Sequence, residues 1–420
     1  MAAEHAVLVT VQLDPRFSSG YARWPVADEA RELAELARSA GCEVAAEVVA
    51  RRHRPVAGTF LGLGKLEEIA RAAAEAQAQV VVFNQELSPA QQRTIEEHVG
   101  VKTIDRTQLI LDIFAQHAAS QEGKVQVELA QLRYLLPRLS GKGILLSRLG
   151  GGIGTRGPGE QKLEVDRRRI RARLTRLGEE LGRLARRREA TRSQRREREI
   201  PVAALVGYTN AGKTTLLNRL SGGASPTRDQ LFTTLDPLAR RVRLPGGEAI
   251  VLTDTVGFLH HLPHHLIESF QATLEEARDA DVLLHVLDAS HPLAAEHAEA
   301  VEEVLRQLGL QDKPQLTLLN KSDRVEEPGR LASLERAYAP AVILSAKTGA
   351  GMDRLAEAIG WQLGLLLAPV TLRVPAERSD VVASIYRSGH VLRRKEDGAM
   401  IELLARVPAK LLAELDPFRS

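Results

Sequence analysis

The alternation of apolar and polar positions changes its period along this chain, and the changes mark out its parts. Between residue 1 and about residue 118, short apolar runs take turns with amphipathic ones. VLVTVQL (7–13), EVAAEVVA (43–50), QVVVFN (79–84) and VKTID (101–105) read as strands, while ADEARELAELARSAG (27–41), LGKLEEIARAAAEA (63–76) and SPAQQRTIEEHVG (88–100) space their apolar residues as helices do. Ser88 stands at a cap position with Pro89 at the first helical position. Strand and helix in alternation predict a parallel sheet with helices on its faces.

From Arg106 to Glu199 the strand pattern is gone. Val125, Leu129, Leu132 and Leu136 keep helical spacing, and Leu163, Ile170, Leu174, Leu177, Leu181 and Leu184 alternate threes and fours, which predicts an antiparallel helical hairpin. The seam accounts for these leucines without chemistry. Between the two helices, SRLGGGIGTRGPGEQKLE (147–164) carries six glycines and Pro158, a composition that predicts neither helix nor strand. Its accessible N–H groups, with Arg148, Arg156 and Lys162, suit a grip on phosphates. A flexible connector is the alternative, although such connectors normally take about two to eight residues.

An apolar run over Val202–Val206 then leads into Gly207, Tyr208, Thr209, Asn210, Ala211, Gly212, Lys213 and Thr214, which fit G-x-x-x-x-G-K-[ST] without mismatch, with Thr215 next. A strand that ends in such a turn points backbone N–H groups at a polyanion, and the following helix adds the positive end of its dipole. Lys213 is placed to reach the β- and γ-phosphates and the Thr214 hydroxyl to bind Mg²⁺. An ordinary glycine turn is the plainer reading, and the strand before and helix after weigh against it.

Four further segments follow in order. LFTTLDP (231–237) sets Phe232, Thr233 and Thr234 in a loop; RRVRL and AIVLT predict a hairpin that delivers Asp254, Thr255, Val256 and Gly257. Asp254 can hold Mg²⁺ through water and the Gly257 N–H can meet a γ-phosphate. QLTLLNKSD ends in Asn320, Lys321, Ser322 and Asp323, and AVILSAK in Ser345, Ala346 and Lys347. A carboxylate at Asp323 can accept from both N1–H and the 2-amino group of guanine, a donor pair that adenine lacks. Lys321 would lie along the base face, Asn320 would brace the loops, and the Ala346 N–H would serve the guanine O6. The set favours GTP and GDP over ATP. Phe258 follows Gly257, where many small GTPases place a glutamine that orients water, so isolated hydrolysis is expected to be slow. Beyond residue 369 the pattern reads strand, helix, strand, strand, helix, with no catalytic constellation. Gly62, Gly64 and Lys65 in FLGLGKLEE form either a second anion-binding turn or a plain loop before a helix.

Composition adds three constraints. With 420 residues, 44% of them hydrophobic and 26% charged, the chain is globular and multidomain. Its single cysteine, Cys42, excludes an intrachain disulfide, and no apolar run is long enough to span a bilayer; a cytoplasmic location is expected. Net charge is +3, yet residues 160–199 hold fourteen Arg and one Lys against eight acids, or +7. Guanidinium groups suit phosphate recognition, and the absence of aromatic residues from this stretch favours folded RNA over stacked single strands.

FTTLDP, DTVGF and GGGIGTRGPGEQKLE together resemble the HflX family of ribosome-associated bacterial GTPases, and GLGKLEEI is similar to that family's N-terminal domain. The resemblance implies Mg²⁺-dependent GTP hydrolysis, the large ribosomal subunit and its RNA as partner, and coupling of nucleotide state to ribosome dissociation or rescue. A GTP-dependent assembly or RNA-binding factor without splitting activity is the alternative. Lys213, Thr234 and Gly257 are the expected catalytic set, with Thr214 and Thr234 on the metal. Asn210 occupies the loop position where some potassium-stimulated GTPases place a ligand, so K⁺ is a second candidate cofactor beside Mg²⁺. The expected fold is multidomain α/β: an N-terminal α/β domain (1–118), a helical hairpin with its glycine-rich loop (119–199), a P-loop GTPase domain (200–368) and a small C-terminal α/β domain (369–420). The free protein is expected to be monomeric, cytoplasmic and at most loosely membrane-associated.

Overall fold

The structure, a computed structural model, describes residues 3–14, 16, 24–139, 158–197, 200–223, 231–232, 238–245, 249–260, 271–364 and 367–419. The first sheet is built from β1 (Glu4–Leu13), β2 (Cys42–Arg52), β3 (Val80–Phe83) and β4 (Lys102–Asp105), in the order β2-β1-β3-β4 with every pair parallel. Helices α1 (Val26–Ser39), α2 (Leu63–Glu75) and α3 (Pro89–Val99) cross between the strands. Alternation along β1 divides the apolar residues between two cores: Val7, Val9 and Val11 pack with Leu66, Ile69 and Ile95, whereas Ala6 and Leu8 pack with Leu33 and Leu36. The start of α3 is the predicted one. The Ser88 hydroxyl accepts from the Gln91 N–H at 3.2 Å and the Ser88 N–H donates to Gln91 Oε1 at 2.9 Å, a reciprocal cap.

Buried Asp105 at the end of β4 caps α4 (Arg106–His117), accepting from the Gln108 N–H at 2.9 Å, and it also holds the Tyr134 hydroxyl at 2.8 Å and Arg138 at 3.1 Å. Those last two residues lie on α5 (Gln121–Arg138). The hairpin seam forms where α5 meets α6 (Pro158–Glu197), with Val125, Leu129 and Leu177 buried and Leu132, Leu174 and Leu181 around them. One expectation is corrected: residues 158–164 are helical, because proline at the first helical position has no N–H to lose and α6 starts on it. Residues 147–157 of the glycine-rich segment lie outside the described residues.

The second sheet contains β5 (Val202–Gly207), β6 (Leu238–Arg243), β7 (Ala249–Asp254), β8 (Val282–Asp288), β9 (Gln315–Asn320) and β10 (Ala341–Ile343), in the order β10-β9-β8-β5-β7-β6. All neighbours are parallel except β6 on β7, the predicted hairpin. Helices α7 (Lys213–Ser221), α8 (Gln271–Asp279), α9 (Ala294–Gln307), α10 (Arg330–Ala337) and α11 (Met352–Gln362) flank it. The third sheet is antiparallel, β11 (Leu367–Pro375), β13 (Met400–Pro408) and β12 (His390–Asp397), packed with α12 (Ser379–Ser388) and α13 (Ala409–Leu415) in the predicted element order. A continuous core joins the first sheet to the second, for Leu33, Leu36 and Phe114 share it with Val206, Tyr208, Phe232 and Phe258. Among the described residues no helix is long and apolar enough to cross a membrane.

Candidate functional site

Central strand β5 runs into the glycine loop where two backbone approaches admit no side chain. A Cβ on Gly207 would stand 2.3 Å from the Val286 carbonyl oxygen, and one on Gly212, whose φ is +98°, would stand 2.3 Å from Asn320 Nδ2. Asn210 bends the turn at φ 59°. Lys213, the first residue of α7, is 6% exposed, and its ammonium donates to the carbonyls of Gly207 at 3.0 Å and Tyr208 at 2.9 Å. Burial pushes its pKa down to about 8 against the opposing pull of Asp254. Next to it the Thr214 hydroxyl donates to Asp254 Oδ2 at 2.8 Å. A hydroxyl and a carboxylate side by side at the loop are hard oxygen donors of the kind Mg²⁺ takes. Thr215 follows in the first turn of α7.

Two loops cross this one. Beyond Asp254, the Thr255 hydroxyl donates to the Leu205 carbonyl at 2.7 Å and Val256 is buried. A Cβ on Gly257 would come within 2.8 Å of Thr209 Cα and 3.2 Å of Lys213 Nζ. Phe258 laces its backbone onto the loop, its N–H to the Gly207 carbonyl at 3.1 Å and its carbonyl to the Thr209 N–H at 2.7 Å, while its ring enters the core. The Phe232 N–H donates to the Thr209 hydroxyl at 3.0 Å, and its ring meets Phe114 edge-on at 4.6 Å. Thr233 and Thr234 lie outside the described residues.

Asn320 joins the glycine loop to the last loop of the set. Its amide donates to the Ala211 carbonyl at 2.7 Å, and its carbonyl oxygen accepts from the Ala346 N–H at 2.9 Å. Lys321, at φ 60°, pairs with Asp288 at 2.7 Å, and Ser322 opens a short 3₁₀ turn that carries Asp323. The Ser345 hydroxyl donates to Asp323 Oδ1 and accepts from the Thr348 N–H at 3.1 Å. Arg219 of α7 donates to the carbonyls of Ala346 and Lys347. Elsewhere, Gly62 caps α2, and Lys65 is engaged by Glu68 at 2.8 Å and the Val49 carbonyl at 3.2 Å, the geometry of a plain helix start.

The Tyr208 side chain turns the other way, into the first sheet's helices. Its hydroxyl donates to Glu32 of α1 and accepts from the His260 N–H at 2.9 Å, and its ring stacks on His297 at 3.9 Å. Glu32 pairs with Arg106 of α4 at 2.5 Å, and the same guanidinium nitrogen donates to the His260 carbonyl at 2.6 Å. Burial raises the Tyr208 phenol far above its usual range, with the Glu32 carboxylate adding to the effect. Trp24 stacks on His260 at 4.4 Å, and the Leu231 N–H donates to Ser39 at 3.1 Å. A cleft opens between α1 and the glycine loop, with Arg31, Glu35, Asn210, Asp288 and His291 in its walls. Glu32 and Arg106 carried no sequence signal, since they are 74 residues apart and Glu32 is 176 residues from Tyr208.

A glycine loop between a central parallel strand and a helix, crossed by D-x-x-G and braced by N-K-x-D, defines a P-loop GTPase. Residues 27–115 match the family described as GTP-binding GTPase N-terminal, 117–195 the GTP-binding GTPase middle region, and 202–321 the family described as 50S ribosome-binding GTPase. The chain belongs to the HflX family of GTPases, and GTP hydrolysis is its activity. It is 46% identical over 386 residues to GTPase HflX of Lacrimispora saccharolytica (91% of this chain, 90% of that one). To the relative from Caldanaerobacter subterraneus it is 43% identical over 415 residues (99% and 94%), and to that of Escherichia coli 43% over 385 (91% and 90%). Among solved structures it is similar to a GTP-binding protein of Sulfolobus solfataricus in complex with GDP, at 25% identity and a TM-score of 0.45 over 86% of this chain and 98% of that one.

Proposed function

We propose that this GTPase is a nucleotide-controlled switch that docks on the RNA of the large ribosomal subunit through its helical hairpin and couples GTP to ribosome dissociation or rescue. The observation that carries the reading is the surface of α6. It extends for about 60 Å at 1.5 Å per residue, and Arg168, Arg171, Arg176, Arg183 and Arg186 stand exposed along it. Two other arginines tie the helix to its neighbours. Arg173 pairs with Glu128 of α5 at 2.7 Å, and Arg188 bridges Glu122 of α5 at 2.9 Å and Glu275 of α8 at 3.2 Å. An arginine-lined helix fastened to α5 and α8 suits phosphate contact. The description of the family matched over residues 202–321 supports the ribosome as partner.

Within the site, Lys213 and the N–H groups of the 207–214 loop take the phosphates, and the Gly257 N–H meets the γ-phosphate. Thr214 and Thr234 would hold Mg²⁺, with Asp254 holding it through water, and the metal when bound would supply neutralisation of phosphate charge. Asp323, oriented by Ser345, takes the guanine N1–H and amino group; Lys321 lies along the base, and the Ala346 N–H serves O6. Phe258 offers no polar group to the attacking water, so the positioning group must come from elsewhere, and a group supplied by the partner or a K⁺ held at Asn210 would provide it.

The test is light scattering of intact ribosomes after the protein is added with a non-hydrolysable GTP analogue. A fall in scattering is expected. Charge reversal at Arg168, Arg171, Arg176 and Arg183 together should weaken binding and flatten its salt dependence, by an exponent of roughly 0.7–0.9 for every phosphate that the variant no longer neutralises. Unchanged scattering with stable co-sedimentation would favour an assembly or RNA-binding factor, and normal binding by the reversed variant would return those arginines to a solvated face.

A further inference from the structure

The segment that follows Asp254 is held at three points. Phe258 is laced to Gly207 and Thr209; the His260 N–H is bonded to the Tyr208 hydroxyl; the His260 carbonyl is bonded to Arg106. Glu32 completes the set by holding Tyr208 and Arg106 at once. Glu32, Arg106 and Tyr208 are each less than 8% exposed, so these bonds form where water does not compete. The consequence falls on Gly257. It lies against the glycine loop so closely that an added Cβ would stand 2.8 Å from Thr209 Cα and 3.2 Å from Lys213 Nζ.

A γ-phosphate has to accept from both Lys213 Nζ and the Gly257 N–H. Two such contacts of about 2.9 Å each, on a phosphate group, set the donors on the order of 5 Å apart. A single carbon added at Gly257 would already crowd Thr209 Cα and Lys213 Nζ, so the segment as held leaves little room for a phosphoryl group beside it. GDP ends at the β-phosphate and makes no demand on Gly257.

We propose that Glu32, Arg106 and Tyr208 are specificity-determining residues that set the preference between GDP and GTP: they fasten residues 257–260 in the arrangement that suits GDP, and the γ-phosphate must draw the segment outward and loosen them. The proposal rests on the site assignment given above. Because Glu32 and Arg106 belong to the helices of the first sheet, linkage makes the effect reciprocal. GTP weakens the hold of those helices on the GTPase sheet, and a partner that displaces them raises GTP affinity by the same factor.

Tyr208→Phe removes one hydroxyl and keeps both the ring on His297 and the Glu32–Arg106 pair, though the buried His260 N–H and Glu32 lose that partner, so urea unfolding of the variant is measured beside binding; Glu32→Gln keeps the shape and removes the charge. The experiment titrates fluorescent GDP and a fluorescent non-hydrolysable GTP analogue against the full chain and both variants, and reads the ratio of the two Kd values. Each variant should move that ratio towards GTP by about tenfold, within the range of ordinary coupling energies, and the double variant should move it by less than the product of the two. A ratio within twofold of wild type overturns the proposal. So does an equal loss of both affinities, which a merely structural role would give. Lys213→Ala separates the two levels of argument: if it binds both nucleotides as wild type does, the site assignment fails; if it binds neither while Tyr208→Phe leaves the ratio unmoved, only the network proposal fails.

Discussion

Asn320→Ala tests the brace between the two loops. The side chain is 2% exposed and makes two hydrogen bonds, to the Ala211 carbonyl at 2.7 Å and from the Ala346 N–H at 2.9 Å. Truncation leaves both backbone groups without their partner, and a buried unsatisfied polar group costs about 1–3 kcal/mol. Water admitted to the space left by the amide recovers part of that, so the expected cost is about 2 kcal/mol rather than the full sum. Nucleotide binding must then order both loops itself, so GDP affinity should fall by roughly thirtyfold. Asn320→Asp is the sharper comparison. It keeps an acceptor for Ala346 but sets a carboxylate oxygen against the Ala211 carbonyl, and should lose more. Fluorescent GDP titration with urea unfolding of the same samples measures both quantities. If Asn320→Ala binds GDP as wild type does and its unfolding midpoint is unmoved, the brace contributes nothing and the reasoning is refuted.

Asp323→Asn should shift preference from guanine towards xanthine nucleotides, since an amide meets the guanine donors badly; undiminished discrimination between GTP and XTP in competition would remove Asp323 from base recognition. The buried Lys213 ammonium, with a pKa near 8 against 10.5 for a free lysine, is fully present well below that value and is lost as pH rises through it. Phosphate binding restores the charge, so GDP affinity should fall above about pH 8 by up to about a decade per pH unit, with proton uptake in calorimetry run in buffers of different ionisation enthalpy. Thr234→Ala should spare GDP affinity and abolish the response that depends on GTP; equal loss of both would point to misfolding. If K⁺ sits at Asn210, hydrolysis should be faster in potassium than in sodium and Asn210→Ala should level the two rates, whereas equal rates in the wild type remove the idea.

The pattern of the chain exposed its local architecture well. Each strand of the first sheet shows as a β-prone run, and Ser88 with Pro89 marked the start of α3 because a cap is a contact within one turn of helix. The role of Asn320 as a brace was legible too, since the N-K-x-D spacing itself sets that amide at the end of β9, beside the glycine loop. Pro158 misled, because the glycines before it argued for irregular chain while its own missing N–H made it a good first helical residue. The union of the two sheets was not legible at all. Glu32 sits on an ordinary amphipathic helix and Arg106 just after a strand, and nothing in a linear pattern tells that one carboxylate will serve a guanidinium from α4 and a phenol from the glycine loop. Tyr208 occupies one of the unspecified positions of its motif, where the backbone alone is constrained.

The stacking of Trp24 on His260 gives the protein a built-in optical reporter. The chain has two tryptophans. Trp24 is 2% exposed with its indole against an imidazole, and Trp361 on α11 is 59% exposed. The exposed indole is expected to emit at longer wavelength and to be reached by iodide, and the enclosed one to emit at shorter wavelength and to be shielded from it. Any movement that parts α1 from the segment around His260 therefore enters the spectrum through Trp24 alone, while Trp361 serves as an internal reference in the same cuvette.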